Sequence, residues 1–409
     1  MKVKIQDIFM GCIAILIVMN LGILNIADVA TVYRYITSVV AIILAAVCIC
    51  DSRIYQRIEG CCHYVNLWFI FLFLFLFAEV LYGWAVGQNS LLYNLSMVYI
   101  YFWLLLFYPI MYILLSANCK RKLIYTICGC TLAAVFLKTL VWFLYNYLHK
   151  DMMHYLLYEF GGVWLRNGFQ RIPATCFSGI LVCTMVCLFF NVKSIKIKVF
   201  SLVVVGFNFI YALLIFASRA QLICFVLAIS VAILFRKNIP MRKVLTYLVF
   251  AFAVVVATSS AYFDEFIQSM SLTTYSMGTR VREVVYYLDL LKNHWVMGFL
   301  YSLPSQTIQG RTGEFYLSDL GMFSKLFEVG ILGMFLHLIP FWRMFQNCRQ
   351  YLKKDNPEYL FGITLLVYTV CFSFLSNDIY SFRLLFGFPF ILTYFEYLRF
   401  QYKIQEKDG

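Results

Sequence analysis

Apolar stretches of about 20 residues recur along the whole chain, and no other feature constrains its fold as strongly. A stretch of this length crosses the hydrocarbon core of a bilayer as one helix. Of the 409 residues, 63% are hydrophobic and 13% are charged, whereas about a quarter of the residues of a soluble domain are charged. This composition excludes a cytosolic enzyme, a nucleic-acid-binding protein and a disordered chain. We therefore predict an all-α, polytopic integral membrane protein.

Hydropathy predicts about twelve transmembrane helices, which form a single transmembrane domain over residues 1–409. No soluble domain interrupts them. We find no repeat of fixed period, which argues weakly against a transporter built from inverted repeats. The predicted spans are 6–25, 30–50, 64–86, 91–115, 123–147, 173–191, 199–217, 219–235, 244–262, 321–342, 359–376 and 383–399.

The distribution of Lys and Arg predicts the orientation of these helices. Of the 33 Lys and Arg residues, 21 lie at the termini or in alternate short loops, and the positive-inside rule places them in the cytoplasm with both termini. Ten others lie on the opposite side, and eight of the ten are arginines. Because Arg suits bidentate contacts with phosphate or carboxylate, we expect an anion to bind at the outer face. The ten are Arg34, Lys150, Arg166, Arg171, Arg219, Arg280, Arg282, Lys292, Arg311 and Arg383.

Two segments on the outer side are long, namely 148–172 and 263–320. We interpret both as outer loops, the second being the large penultimate loop of the protein. In this loop, apolar residues at helical spacing predict an amphipathic helix that lies along the membrane surface or covers a cavity. Arg280 and Arg282 flank its apolar face, which comprises Val281, Val284, Val285, Leu288, Leu291 and Trp295.

Several charged residues lie within predicted spans, where they are costly and count as functional candidates. Lys325 and Glu328 are three residues apart, so we expect them to neutralise each other on one helix face. Glu79 and Lys138 are candidates for a second pair across the bundle. Because the sequence has no nucleotide-binding loop, no zinc signature and no nucleophile elbow, we expect neither a metal nor a cofactor.

The segment Phe216-Ala217-Ser218-Arg219-Ala220-Gln221 joins two apolar runs with almost no polar linker, which places Arg219 at the outer mouth of the bundle. An Arg costs about 2.5–3.5 kcal/mol at the centre of a membrane helix, and less near the interface. We therefore expect Arg219 to meet an anion or to reach water.

A second unusual pattern begins at Thr279. The chain reads TRVREVVYYLDLLKNHWVMGFLYS, then a polar loop containing QGRTGEFYLSD, then LGMFSKLFEVGILGMFLHL. It contains an Arg-bearing helix followed by an Asn-His-x-x-x-Gly turn, and then a helix with Glu-x-Gly-Ile-x-Gly. Together with the earlier Ser-Arg between two helices, these motifs resemble the O-antigen polymerase and ligase superfamily in their order and spacing. The resemblance is concentrated in residues 216–222 and 279–342.

The resemblance implies roles for particular residues. Arg219 matches the Arg that this family uses on the lipid pyrophosphate, and either Arg280 or Arg282 matches the second one. Ligases carry a His where this chain has Ser318-Asp319, so the polymerase branch is favoured. Asp319, followed by Glu314, is the candidate for the carboxylate that orients the acceptor hydroxyl or accepts its proton. Four further arginines are candidate anion contacts, namely Arg166, Arg171, Arg311 and Arg383.

The function that the resemblance implies is a glycosyltransferase of lipopolysaccharide biosynthesis. It is a Wzy-type polymerase that joins undecaprenyl-pyrophosphate-linked oligosaccharide repeat units at the periplasmic face of the bacterial inner membrane. The implied partners are this lipid-linked sugar, the bilayer and a membrane protein that regulates chain length. Two alternatives stay open, a ligase that transfers glycan to a lipid or protein acceptor and a flippase for the lipid-linked sugar. Aromatic candidates for stacking on sugars are Tyr158, Trp164, Trp295, Tyr301 and Tyr316.

Overall fold

The computed structural model of the protein describes residues 4–23, 29–86, 89–150, 165–166, 169–235, 275–310, 315–351, 357–375 and 378–407. Within these ranges the regular structure is helical, apart from one short antiparallel hairpin. The predicted all-α fold is confirmed, and the apolar character of the helices indicates a protein that lies in a membrane.

The elements follow one another along the described residues without a separate domain. They are α1 (Ile5–Asn20), α2 (Val29–Cys50), α3 (Ser52–Ala85), α4 (Leu91–Val98), a 3₁₀ helix (Tyr99–Leu106), α5 (Phe107–Leu114), α6 (Ala117–Leu148), β1 (Leu165–Arg166), β2 (Phe169–Gln170), α7 (Ser178–Asn191), α8 (Ile195–Ile210), α9 (Arg219–Phe235), α10 (Tyr275–Leu291), α11 (Ser305–Ile308), a 3₁₀ segment (Leu317–Phe323), α12 (Ser324–Tyr351), α13 (Pro357–Leu375) and α14 (Phe388–Lys407).

Among the described residues, seven helical segments are long and apolar enough to cross a membrane. Three shorter apolar helices, α1, α7 and α9, lie beside them. The predicted span 244–262 lies outside the described residues, so the count of twelve stays a prediction. The seven segments are Thr31–Cys50, Ser52–Ala85, Leu91–Leu114, Ala117–Leu148, Ile195–Ile215, Leu320–Gln350 and Glu358–Leu375.

Helix α3 is longer than the span predicted for it, because it begins at Ser52 rather than near residue 64. The Asp51 carboxylate accepts hydrogen bonds from the backbone N–H groups of Arg53 at 2.9 Å and Ile54 at 3.3 Å. An Asp in this position satisfies N–H groups that a helix start leaves without partners. The basic residues placed in a loop by hydropathy therefore belong to the first turns of the helix.

Two sets of contacts show which helix ends lie together. Lys120 of α6 forms an ion pair with Glu358 of α13, and the sequence assigns both residues to the cytoplasmic side. Arg34 and Arg383, both assigned to the outer side, line one cavity at the other end of the bundle. We refer to that end as the outer end.

Candidate anion-binding site

The turn before Arg219 has an irregular backbone. Helix α8 finishes in a single π-helical turn, Tyr211–Ile215, and Ala217 follows with a φ of 48°. Positive φ is rare for a residue with a side chain, and such strain is concentrated at functional sites. The Ser218 Oγ accepts a hydrogen bond from the Gln221 N–H at 3.3 Å. This contact caps the start of α9. Arg219 is the first residue of this helix and is half-buried.

Arg171 lies against the same turn. Its Nε donates a hydrogen bond to the Phe216 carbonyl at 2.9 Å, and its Nη2 donates to the Ala217 carbonyl at 3.4 Å. Carbonyls after the end of a helix lack intrahelical partners and carry partial negative charge, which a guanidinium fork satisfies. Arg171 therefore holds the turn that leads to Arg219, in addition to any contact with an anion.

Replacing Arg171 by Lys should lower the free energy of unfolding by about 1 kcal/mol, because an ammonium group cannot reproduce the two-carbonyl fork. Thermal or denaturant unfolding in a membrane mimetic measures the change. The matched control is Arg57→Lys, at an exposed position near the start of α3, which should leave the free energy of unfolding unchanged. Equal stability of the two variants would show that the fork contributes nothing.

The segment 173–176 forms a wall of a cavity that sequence reasoning missed, here named the Arg34 cavity. It offers about 520 Å³ of space, partly open to the surroundings, and three cations line it. Arg34 comes from α2, Lys138 from α6 and Arg383 from the turn before α14. Lys138 is buried, and its Nζ donates a hydrogen bond to the Pro173 carbonyl at 3.2 Å.

One aromatic ring holds two of these cations near each other. The Arg34 Cζ lies 4.3 Å from the centre of the Phe382 ring, and the Arg383 Cζ lies 5.4 Å from the same centre. Guanidinium groups are attracted to the face of an aromatic ring. The ring therefore keeps two positive groups close together at the mouth of the cavity.

The described residues that line the Arg34 cavity include no carboxylate. Like charges gathered in a partly buried site repel one another and are costly to desolvate. An anion bound in this cavity would be attracted by all three cations.

A second cavity, here named the Gln221 cavity, lies on the other side of the segment 173–176. It offers about 610 Å³ of space, and its lining includes Phe216, Gln221 and Arg383. Arg383 therefore lines both cavities, and the Gln221 cavity borders the turn that carries Arg219. The structure thus places Arg171 against the turn that leads to Arg219, and it places Arg383 on a cavity that borders this turn.

The glycine motif of the large outer loop and the glycine motif of α12 lie directly against each other. Gly298 ends the Asn-His-x-x-x-Gly turn and Gly330 breaks α12, with φ values of 68° and 67°. A Cβ on either residue would overlap the backbone on the other side. Phe299 N–H donates to the Phe327 carbonyl at 3.0 Å, and Ile331 N–H donates to the Trp295 carbonyl at 2.9 Å. We name this contact the glycine clasp.

A buried ion cluster lies close to the clasp. Lys325 forms an ion pair with Glu328, and its Nζ lies 3.0 Å from Oδ2 of Asp378. The predicted Lys325–Glu328 pair is confirmed, and Asp378 joins it. Burial raises the pKa of Asp378, which the charge of Lys325 opposes. Asp378 precedes Arg383 in the same turn, so the cluster fastens α12 to the segment that carries Arg383.

Asp378→Asn should lower the free energy of unfolding by about 1.5–3 kcal/mol, because it removes a charged hydrogen bond while Glu328 still pairs with Lys325. Denaturant unfolding measures the change. The matched control is Asp289→Asn, which removes an exposed ion pair with Lys292 and should cost less than about 1 kcal/mol. If Asp378→Asn is neutral or stabilising, the ion cluster does not hold α12 against the segment that carries Arg383.

The suggested Glu79–Lys138 pair is wrong. Lys138 contacts the Pro173 carbonyl, whereas the buried Glu79 Oε1 has no hydrogen-bond partner among the described residues. Helices α3 and α6 both pack on α5, but α3 otherwise packs on α4 and α12 and α6 on α1 and α7, and the two are not a main packing pair.

The predicted amphipathic helix is α10, and most of its apolar stripe points outward, although Leu291 at its end is buried. Val285 is 61% exposed and Trp295, which follows the helix, is 57% exposed, whereas Glu283 and Tyr287 are buried. The Glu283 Oε1 accepts a hydrogen bond from the Tyr316 N–H at 2.5 Å. The face toward the bundle is thus more polar than predicted, and the apolar stripe is left for the surroundings, as on a surface helix.

The remaining predicted site residues lie in different parts of the chain. Arg282 is exposed on α10 and lines neither cavity. Tyr301 is buried, so it is not available to stack on a sugar. The backbones of Arg166, Arg280 and Asp319 lie in β1, α10 and the 3₁₀ segment, but their side chains fall outside the description. Arg311, Glu314, Tyr158 and Trp164 lie outside the described residues.

Comparison with known proteins adds no relative. No protein-family model matches the chain, and neither a curated protein nor a solved structure matches it.

Proposed function

We propose that the protein is an O-antigen (surface polysaccharide) polymerase, a glycosyltransferase that joins undecaprenyl-pyrophosphate-linked oligosaccharide repeat units at the periplasmic face of the inner membrane. The observation that carries the proposal is the convergence of Arg34, Lys138 and Arg383 on the Arg34 cavity. Arg383 also lines the Gln221 cavity, which borders the turn that leads to Arg219. A pyrophosphate bears several negative charges. Cations held in fixed positions stabilise such charge without having to reorganise.

The proposed reaction needs charge stabilisation and positioning, and no cofactor. The hydroxyl oxygen of the acceptor sugar forms a bond to the anomeric carbon of the donor. The bond between that carbon and the pyrophosphate oxygen breaks, and its electron pair leaves with the pyrophosphate, which the cations hold. The hydroxyl proton passes to a carboxylate, for which Asp319 is the first candidate and Glu314 the second.

The backbone around Asp319 is fixed on both sides, which supports this role. Before it, the Tyr316 N–H is bonded to buried Glu283. After it, Gly321 packs so closely on the end of α13 that an added Cβ would lie 2.7 Å from the Ser373 carbonyl oxygen. A reacting group has to be held by such a scaffold to keep its geometry.

Deletion of the gene from its host, followed by analysis of the carrier lipid and of the surface glycan, separates the three functions. For a polymerase we expect single repeat units on the surface and no ladder of longer chains. A ligase would instead leave long polymer on the carrier lipid. A flippase would leave the lipid-linked unit on the inner leaflet, and either of these two results would overturn the proposal.

A further inference from the structure

An apolar crevice lies between α5, α6, α7, α13 and α14, and it reaches the end of the bundle that the sequence assigns to the cytoplasmic side. It offers about 1240 Å³ of space, and its wall is almost wholly apolar. A crevice of this kind does not hold ordered water, because water needs polar partners. In a membrane protein, hydrocarbon is the material that fills it. The wall includes Leu123, Ile127, Ile180, Leu188, Leu365 and Tyr394.

The crevice is longer than one leaflet. Along α7 its wall runs from Ile180 to Val192, a rise of about 18 Å at 1.5 Å per residue. Half of the hydrocarbon core measures about 15 Å. The chain that fills the crevice therefore has to reach beyond the middle of the bilayer if it enters from the outer end.

The crevice begins where the Gln221 cavity ends. Tyr368 lines the cavity and Leu365, one helical turn away on α13, lines the crevice. In the same way, Ile391 of α14 lines the cavity and the adjacent Phe390 lines the crevice. The Tyr368 ring packs so tightly on Gly179 that a Cβ there would overlap it. One aromatic ring thus stands at the boundary between the two spaces.

The charges at the two ends differ. At the cytoplasmic mouth, Lys120 is paired with Glu358, so the wall of the crevice carries no net charge there, although the exposed Lys193 follows directly after the wall residue Val192. At the outer end, Arg383 and the other cations surround the two cavities. A lipid with an anionic head group is therefore matched with its head at the outer end and its hydrocarbon chain directed inward.

We infer that the crevice holds the far end of the polyprenyl chain of the lipid-linked substrate, so that it selects substrates with long chains. The inference rests on the proposed function for the identity of the lipid. The polyprenyl chain passes the Tyr368 ring and fills the space between α5, α6, α7, α13 and α14. A short prenyl chain would stop in the outer half and leave the crevice without its occupant.

Photolabelling of the full-length protein in nanodiscs tests the inference. The probes are undecaprenyl pyrophosphate and geranyl pyrophosphate, each with a diazirine at the far end of the chain, and a phosphatidylglycerol with a diazirine in its acyl chain. Peptide mapping should place the undecaprenyl label on 180–192 and 358–365, at least tenfold above either other probe. Equal labelling of these peptides by the phospholipid would overturn the inference.

A crevice-filling variant provides a second readout. Leu188→Trp should reduce the undecaprenyl label about tenfold and raise the KM for lipid-linked substrate, whereas Val203→Trp, 62% exposed on α8, should change neither. Undiminished labelling in Leu188→Trp would count against the inference. If this variant does not accumulate, the comparison of probes on the unaltered protein still decides.

The two proposals fail in different ways. If geranyl-linked and undecaprenyl-linked repeat units are elongated equally well, the inference fails and the polymerase proposal stands. If the undecaprenyl probe labels the crevice but no elongation occurs with any donor, the chain site stands and the polymerase proposal fails.

Discussion

Substituting Arg383 by glutamine is expected to lower polymer formation about a hundredfold or more, while the protein still folds and inserts. Arg383 lines both outer cavities and shares the Phe382 ring with Arg34. Removing one fixed group that stabilises charge in a transition state typically costs a factor of about 10²–10³ in rate. The side chain is exposed, so its loss should leave unfolding nearly unchanged. A glycan ladder from cells and the elongation rate of purified protein measure the effect.

The control for this variant is Lys292→Gln, which removes another cation of the outer side that lines neither cavity. It should leave the ladder unchanged. Arg34→Gln, which affects one cavity instead of two, should cause a smaller loss, about tenfold. If both Arg383→Gln and Arg34→Gln still produce glycan chains of normal length, the two cavities do not belong to the catalytic site.

Gly330→Ala is expected to cost about 3–5 kcal/mol of stability, the largest structural effect among the variants considered. A residue with a side chain is strained at a φ of 67°, and the added Cβ would collide with the Val296 carbonyl. Opening the glycine clasp would also break the backbone hydrogen bonds that join the two segments. We expect a large drop in the midpoint of thermal unfolding, or failure of the protein to accumulate.

Glycines with open surroundings provide the matched controls. Gly129 and Gly206 lie within α6 and α8, and a Cβ on either has no neighbour within 4 Å. Alanine there should be neutral or stabilising by about 0.5–1 kcal/mol, because glycine is a poor helix former. Gly298→Ala combined with Gly330→Ala should cost less than the sum of the single variants, since both open one contact. Additive effects would show that the clasp is not a single unit.

The helices themselves follow from local sequence, and the departures from prediction have local or long-range causes that can be named. Apolar runs predict the transmembrane segments because every backbone polar group in a bilayer must be satisfied within the helix. The early start of α3 depends on the Asp51 cap, a signal that hydropathy does not use. The sequence did not predict which face of α10 is buried. This face carries Glu283, whose hydrogen-bond partner, the Tyr316 N–H, lies 33 residues away in the chain.

The cation site could be predicted only in part. Arg219, Arg171 and Arg383 stand out as arginines on the side where the positive-inside rule disfavours them. The involvement of Arg34 and Lys138 with Arg383 depends on which helices are neighbours, and no spacing in the sequence encodes that. Lys138 did carry a signal, its position inside a predicted span, but the partner assigned to it was wrong. A charged residue within a membrane span can be recognised from the sequence as a functional candidate, but its contact partner cannot.

The glycine motifs show the same limit. Their order along the chain could be read and supported a resemblance to polymerases and ligases. Their direct contact, with Gly298 against Gly330, requires two positive φ angles and a broken helix. Neither feature has a local signature beyond the glycines themselves.

Reconstitution of the purified protein with a synthetic undecaprenyl-pyrophosphate-linked repeat unit tests the polymerase proposal most directly. In proteoliposomes without other proteins or nucleotides, we expect chains of two or more repeat units on the carrier lipid. One undecaprenyl pyrophosphate should be released for each bond formed, and Arg383→Gln should abolish both products. Movement of the intact donor across the bilayer without any new glycosidic bond would contradict the proposal. So would transfer of the glycan only to a different lipid or protein acceptor.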